Sequence, residues 1–297
     1  MKPATEIAIR ATTRPVVLLG DPVAHSFSPL IHNTGFRVQR LDYVYLACRV
    51  PRGALPDAVA GLRALGFAGA NVTIPHKEAM LALVDQCTPH AQAIGAINTV
   101  ICHIDAQGAV TLIGDNTDVI GFLEPLRPLA DCLTGAEMVV LGAGGAARAV
   151  VYALLTEFRP SRLTIAARTR ARAEAMATDF AIYDTRQALQ IVSWNEAAPA
   201  IRRACLVVNA TPVGMHPHVE ASPWPHVEDF SPGQIVYDLV YNPVQTRLLR
   251  EAADRGATTI DGLTMLIGQA AAAYQHWTGH TLPRQAVQAA LQPLLQG

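Results

Sequence analysis

Lys77 and Asp118 are candidates for proton chemistry. An ammonium beside a carboxylate can hand a proton to a developing alkoxide and take it back. Both sit in polar runs where an α/β chain ordinarily places apolar residues. The runs are Asn71-Val72-Thr73-Ile74-Pro75-His76-Lys77, then Asn98-Thr99 after Ile97, then Gly114-Asp115-Asn116-Thr117-Asp118. Taken singly, each has a plainer use. Lys77 suits a solvated helix start, Asp118 a helix N-cap, Asn71 and Asn98 turns at strand ends, and Ser26 a loop.

A second pattern concerns anion binding. Gly142-x-Gly144-x-x-Ala147 follows the apolar run Glu137-Met138-Val139-Val140-Leu141 and opens a helical stretch, Ala146 to Glu157. Glycines in that context allow a tight turn and close backbone approach to a pyrophosphate, with a helix N-terminus facing the anion. The loop Gly142, Ala143, Gly144, Gly145, Ala146 is therefore expected to hold a dinucleotide. An acid about 20 residues on would take the ribose 2′-hydroxyl of NAD. Here the next strand ends in Ala167-Arg168-Thr169-Arg170-Ala171-Arg172, with no acid before Glu174. Guanidinium groups prefer the dianionic 2′-phosphate, so Arg168 and Arg172 point to NADP. Cations at a helix start oppose its dipole, which an anionic ligand would offset.

The elements that must position these groups read as two βα series. In the first, apolar runs at Val16–Leu19, Tyr43–Cys48, Ala68–Val72 and Ile97–Cys102 alternate with amphipathic stretches at Pro29–Leu41 and Ala54–Leu65. Ser28-Pro29 reads as a helix start, with the hydroxyl as cap and the proline at the first helical position. Gly108 marks a turn before Val110–Ile113, suggesting a closing hairpin. The second series has strands at Glu137–Leu141, Leu163–Ala167, Leu206–Asn209 and Ile235–Asp238; the Pro-rich stretch Met215 to Pro232 reads as surface loop. Helical patterns at Leu263–Trp277 and Arg284–Leu295 close the chain with no strand to join them to that series.

Composition narrows the classes. At 297 residues the chain exceeds the size at which one core stops growing, so two domains are expected. Hydrophobic residues make up 51% but aromatics only 6%, an aliphatic balance suited to parallel strands buried on both faces. Lys+Arg 23 against Asp+Glu 24, without a basic run, argues against nucleic acid or membrane surfaces as partners. Met1 to Arg14, with Lys2, Glu6 and Arg10, lacks the apolar block of a secretory signal, so a cytoplasmic location is expected. The five cysteines are scattered and suggest neither disulfides nor zinc, and His216-x-His218 with His226 reads as a loop. No metal is expected.

Ala24-His25-Ser26-Phe27-Ser28-Pro29, Gly69 to Lys77, Gly95-Ala96-Ile97-Asn98-Thr99, Gly114 to Asp118, Gly142 to Ala146, Asn209-Ala210-Thr211-Pro212, Tyr237-Asp238-Leu239-Val240-Tyr241, and Asp261-Gly262-Leu263 through Gln269 follow one another in this order. With them the chain resembles the shikimate dehydrogenase family over nearly its whole length. The resemblance implies an α/β fold with an N-terminal substrate domain, residues 1–117, completed by C-terminal helices at 262–297. A Rossmann-type NADP domain would span 118–261. It implies NADP-linked reversible reduction of 3-dehydroshikimate to shikimate, a step of aromatic amino acid biosynthesis, by a monomer or homodimer. Ser26, Ser28 and Tyr241 would hold the substrate carboxylate. Asn71, Thr73, Asn98, Asp118 and Gln269 would bind its ring hydroxyls, and Lys77 would move the proton with Asp118 as its partner. The cofactor set would add Thr169, Thr211, the Leu239 backbone and the Gly262 carbonyl to the glycine loop and arginines. Two departures stand out: Ala167 precedes Arg168-Thr169 where the family often has Asn, and Leu239 stands where many members have Met. The alternatives are a quinate/shikimate dehydrogenase using NAD or NADP, which Arg168, Arg172 and Ser28 disfavour, and a catalytically silent NADP-binding regulator, which Lys77 and Asp118 disfavour.

Overall fold

The structure, a computed structural model, describes residues 9–295; Lys2 and Glu6, part of the leader argument, lie outside that range. In chain order, the first elements are β1 (Arg14–Gly20), α1 (Ser28–Gln39), β2 (Tyr43–Arg49), α2 (Leu55–Ala64), β3 (Gly69–Val72), β4 (Gln86–Cys87), α3 (Pro89–Ile94), β5 (Thr99–Ile104) and β6 (Val110–Asp115). There follow α4 (Asp118–Leu123), α5 (Ala130–Leu133), β7 (Glu137–Leu141), α6 (Gly145–Ala153), β8 (Arg162–Ala167), α7 (Arg170–Phe180), β9 (Leu189–Ser193) and α8 (Ala198–Arg203). Last come β10 (Leu206–Asn209), β11 (Ile235–Asp238), α9 (Arg247–Asp254), β12 (Thr258–Ile260), α10 (Gly262–Thr278) and α11 (Arg284–Leu295). Two compact units result, 1–117 with 269–297, and 118–268. The second crossing falls inside α10, between Gly268 and Gln269, rather than before that helix.

In the first unit the described strands form one mixed sheet in the order β2-β1-β3-β5-β6-β4. β1 pairs parallel with β2 and β3, while β5 and β6 form the antiparallel hairpin that Gly108 signalled. Asp105 caps that turn, its Oδ1 accepting from the N–H groups of Gln107 and Ala109 at 2.9 and 2.8 Å. One face packs on α2 through Val17, Val59, Leu62, Ala70 and Val100. Helix α10 belongs here because its Trp277 reaches the sheet. Trp277 Nε1 donates to the Val100 carbonyl at 3.0 Å, and the Tyr43 hydroxyl donates to the Trp277 carbonyl at 2.9 Å.

In the second unit every described strand is parallel, in the order β12-β11-β10-β7-β8-β9. This is the doubly wound arrangement, and its strand order reverses between β7 and β10, where ligands bind beyond the carboxyl ends of strands. The sequence expectation of a surface loop over Met215 to Pro232 needs correction. Trp224 and Phe230 in that stretch are buried in the core with Val207, Val236 and Leu248. Trp224 Nε1 donates to Asp229 Oδ2 at 3.0 Å, so the Pro-rich segment packs as a flap of core. Among the described residues no helix is long and apolar enough to cross a membrane.

Candidate functional site

In the second unit the glycine loop connects β7 to α6. Gly142 has φ +114°, a region that side chains rarely adopt, and its N–H donates to the Ala166 carbonyl at 2.8 Å. A Cβ there would meet Thr211 Cγ2 at 3.0 Å and the Ala210 carbonyl at 3.2 Å, so the loop and the end of β10 press together at the switch point. A Cβ on Gly144 would enter open space, and no side chain caps the start of α6. An uncapped helix start below an open face fits a pyrophosphate. Gly145 and Ala146 open the helix.

Arg168 and Thr169 follow β8 directly, exposed, one strand over from the glycine loop, and Thr169 is the residue before α7. The first turn of α7 holds no acid. Arg170 is balanced within the helix by Glu174 at 2.7 Å. At the other end, a Cβ on Gly262 would fall 2.5 Å from the Leu239 carbonyl oxygen, which brings Leu239 and Gly262 together as backbone neighbours. Tyr241 lies half-buried two residues beyond Leu239.

The struts beneath these loops are Asp238 and Asn209, which sequence reasoning left without a role. Asp238 is fully buried and accepts from Asn209 Nδ2 at 2.8 Å, the Val240 N–H at 3.0 Å and the Thr246 hydroxyl at 2.6 Å. Burial outweighs those donors and raises its carboxyl to about 6. Asn209 Oδ1 in turn accepts from the N–H and hydroxyl of Thr211 at 3.0 and 2.7 Å. Their signal was a polar residue ending each of two buried strands.

In the first unit, Ser26 and Ser28 come together ahead of α1. Ser26 Oγ accepts from the Ser28 N–H at 3.2 Å, and the two hydroxyls are 3.2 Å apart. Ser28 does not cap the helix as expected. Phe27 occupies the cap position and Ser28 is already helical, which turns its hydroxyl to Ser26 and leaves Pro29 in the first turn. A cavity of about 330 Å³ beside Ser26, lined also by Pro22, Val23 and Arg49, holds none of the other polar residues of the set.

Lys77 is half-buried on the loop after β3. That loop is tied down on both sides. Its carbonyl accepts from the Ile97 N–H at 2.8 Å, and the preceding residue, His76, is buried with Nε2 2.7 Å from the Val50 carbonyl. A carbonyl only accepts, so that nitrogen carries the proton. Thr73, half-buried at the start of the loop, donates its N–H to the Leu19 carbonyl at 2.9 Å.

Asn71, Asn98, Thr99 and Thr117 form one buried network. Asn71 Nδ2 donates to the Asn98 carbonyl and to Thr99 Oγ1, both at 3.2 Å. Asn98 Oδ1 accepts from the Thr117 N–H at 2.8 Å and from the Thr99 hydroxyl at 3.0 Å. Thr117 immediately precedes Asp118, which is buried as the first residue of α4 in the second unit. Gln269 is buried on α10, where its unit resumes. Seven residues on along α10, His276 Nε2 meets Asp115 Oδ2 at 2.8 Å and fixes the helix against the end of β6. Desolvation would raise the Asp115 carboxyl, but His276, Thr88 and the Asn116 N–H together hold it below its ordinary value. Among the described residues no three His, Cys, Asp or Glu side chains cluster as metal ligands.

A parallel doubly wound sheet with a glycine loop at its switch point, in a chain that also carries a separate mixed-sheet unit with a buried polar network, is the frame of a two-domain nicotinamide-dinucleotide oxidoreductase. Family models narrow this. Residues 18–100 match the shikimate dehydrogenase substrate binding domain, 126–223 the shikimate/quinate 5-dehydrogenase model, and 262–292 the shikimate 5′-dehydrogenase C-terminal domain. An NADP(+) shikimate dehydrogenase of Salinibacter ruber is 55% identical over 95% of this chain and 98% of its own. A crystal structure of shikimate dehydrogenase in complex with NADP+ is similar at TM-score 0.87 and 36% identity, covering 97% of this chain and 98% of that one. Quinate dehydrogenase from Corynebacterium glutamicum in complex with NAD is similar at TM-score 0.82 and 32% identity, over 95% and 99%. The chain belongs to the shikimate dehydrogenase family.

Proposed function

We propose that this chain is an NADP-dependent shikimate dehydrogenase interconverting 3-dehydroshikimate and shikimate. The observation that carries the reading is identity over nearly the full length to an enzyme of that name; the geometry then supports the assignment of parts. The backbone N–H groups of Gly142 to Ala146 would hold the pyrophosphate of NADP, and Arg168, Thr169 and Arg172 its 2′-phosphate. Thr211, the Leu239 backbone and the Gly262 carbonyl would line the remainder. When bound, NADPH supplies the hydride.

The chain's own side chains supply recognition and the proton. Hydroxyls of Ser26, Ser28 and Tyr241 bind the carboxylate as neutral donors, and Asn71, Thr73, Asn98, Asp118 and Gln269 bind ring hydroxyls. A polar set buried this way rejects substrates that lack the matching hydroxyls, because its own groups are then left unpaired. Lys77 Nζ gives its proton to the carbonyl oxygen as that becomes an alcohol, and recovers it in the reverse direction, with Asp118 as its carboxylate partner. The five cysteines are all free, which supports a cytoplasmic location.

One observation bears on the second reading. The model matched by residues 126–223 covers quinate enzymes too, so substrate and cofactor must be separated by residues. Arg168 at the end of β8, with no acid in the first turn of α7, favours NADP over NAD. A spectrophotometric assay with shikimate or quinate against NADP or NAD tests this directly. Reduction fastest with shikimate and NADP is expected; preference for quinate and NAD would overturn the reading, and silence with every pair would make the chain a regulator.

A further inference from the structure

Tyr45 lies on β2, buried, with its hydroxyl donating to Asn71 Oδ1 at 2.7 Å. Its ring is held in place from the side. His32 stacks on it with centroids 4.4 Å apart and planes at 14°, and Trp277 lies 6.1 Å away at 47°. The far end of the Asn71 amide faces the Asn98 carbonyl and Thr99 Oγ1. Since a carbonyl accepts only, the atom facing it is Nδ2 and the amide orientation is settled. Both Nδ2 hydrogens are then engaged, while Oδ1, after accepting from Tyr45, keeps one lone pair. Asn71 can therefore offer a ligand an acceptor and no donor.

The order continues past Asn71. Thr99, having accepted from Asn71, donates to Asn98 Oδ1, on which the Thr117 N–H converges from the other side, so the run of bonds from Tyr45 ends at that oxygen. Such chains polarise one another and hold each member to a single role.

We infer that Tyr45 is a positioning residue: its hydroxyl holds Asn71 as an acceptor for a substrate hydroxyl. This rests on the reading above, in which Asn71 and Asn98 bind ring hydroxyls. The ring position that Asn71 meets must then carry a hydrogen-bond donor, and a keto or deoxy substituent there leaves a buried acceptor unpaired.

The test is a double-mutant cycle of Tyr45→Phe and Asn71→Ala, since Phe keeps the stacked ring and removes only the hydroxyl. Tyr45→Phe is expected to raise the KM for shikimate about 5- to 10-fold with kcat within about 2-fold and the KM for NADP unchanged. Added to Asn71→Ala, it should change the KM by less than about 2-fold, because Tyr45 then has nothing to orient. An unaltered KM in the single variant, or full multiplicative effects in the double, would overturn the inference. Hydrogen exchange of the Asn71 side-chain amide, followed by NMR, gives a readout independent of turnover. Faster exchange in Tyr45→Phe is expected and an unchanged rate sinks the inference. If the wild-type chain leaves shikimate untouched, the proposed function falls, and the exchange measurement still decides the role of Tyr45.

Discussion

In the unit spanning 118–268 the strands are all parallel, and the groups assigned to the cofactor are mainly backbone, on a loop where Gly142 has φ +114° and Gly144 faces open space. In the unit of 1–117 and 269–297 the sheet is mixed, and the groups assigned to the substrate are side chains, of which Asn71 and Asn98 are locked in a buried network with Thr99 and Thr117. The difference follows from the ligands proposed. A pyrophosphate asks for converging N–H groups, whereas ring hydroxyls at fixed positions ask for donors and acceptors in a fixed order. Asp118 and Tyr241 apart, which lie in the second unit, the first unit should therefore govern turnover and substrate choice, and the second cofactor affinity.

The sharpest way to break that division is Lys77→Ala. Turnover is expected to fall about 10²- to 10⁴-fold, the usual contribution of a positioned proton donor, with shikimate affinity changed far less. Near-normal kcat in a steady-state assay would remove Lys77 from the chemistry. Next in size is Gly142→Ala, which combines an unfavourable φ with a Cβ pressed on Thr211 and Ala210. The KM for NADP should rise by about 10-fold or more while the KM for shikimate holds, since strain of this kind disturbs the loop that bears it. An equal rise in both would erase the contrast between the units. Arg168→Ala should raise the KM for NADP by roughly 10-fold and leave the KM for NAD where it was, because only the former carries the 2′-phosphate. Equal effects on the two cofactors would return Arg168 to a solvated surface role.

The smallest effect concerns stability and pH, where the units oppose each other. His32 is fully buried, and both ring nitrogens lack partners among the described residues. Burial pushes its pKa down to about 3 from 6.5. Between those values the unfolded chain binds the extra proton, so its contribution to stability is fully present above about pH 6.5 and is lost as pH falls toward 3. Asp238, raised to about 6 from 3.8, works with the opposite sign, favouring the fold as pH falls through that window. Denaturant titrations at pH 7 and pH 5 should show a smaller loss of stability on acidification in His32→Phe than in wild type, by on the order of 1 kcal/mol. Identical losses would mean that the imidazole is not buried as described.

Much of the second unit was legible along the chain. β7, the glycine loop, the start of α6 and the arginines after β8 are consecutive, so hydrophobic runs and a local motif expose them. β9 and β12 were missed, because Leu189–Ser193 is only part-buried and Thr258–Ile260 is short and polar. Trp224 and Phe230 were placed at the surface because prolines around them signal turns, and burial of a turn-rich segment depends on what lies beneath it.

The sequence by itself determined the two-series α/β layout and the glycine loop after β7 with the arginines after β8, since each depends on residue type and short-range spacing. Tertiary structure alone decided the pairings. Gly142 against Thr211, Gly262 against Leu239, Tyr45 on Asn71 and His276 on Asp115 join positions from 23 to 161 residues apart. Hydrogen-bond direction at such a contact is set by which atoms the folded chain brings face to face, and no local pattern carries that information.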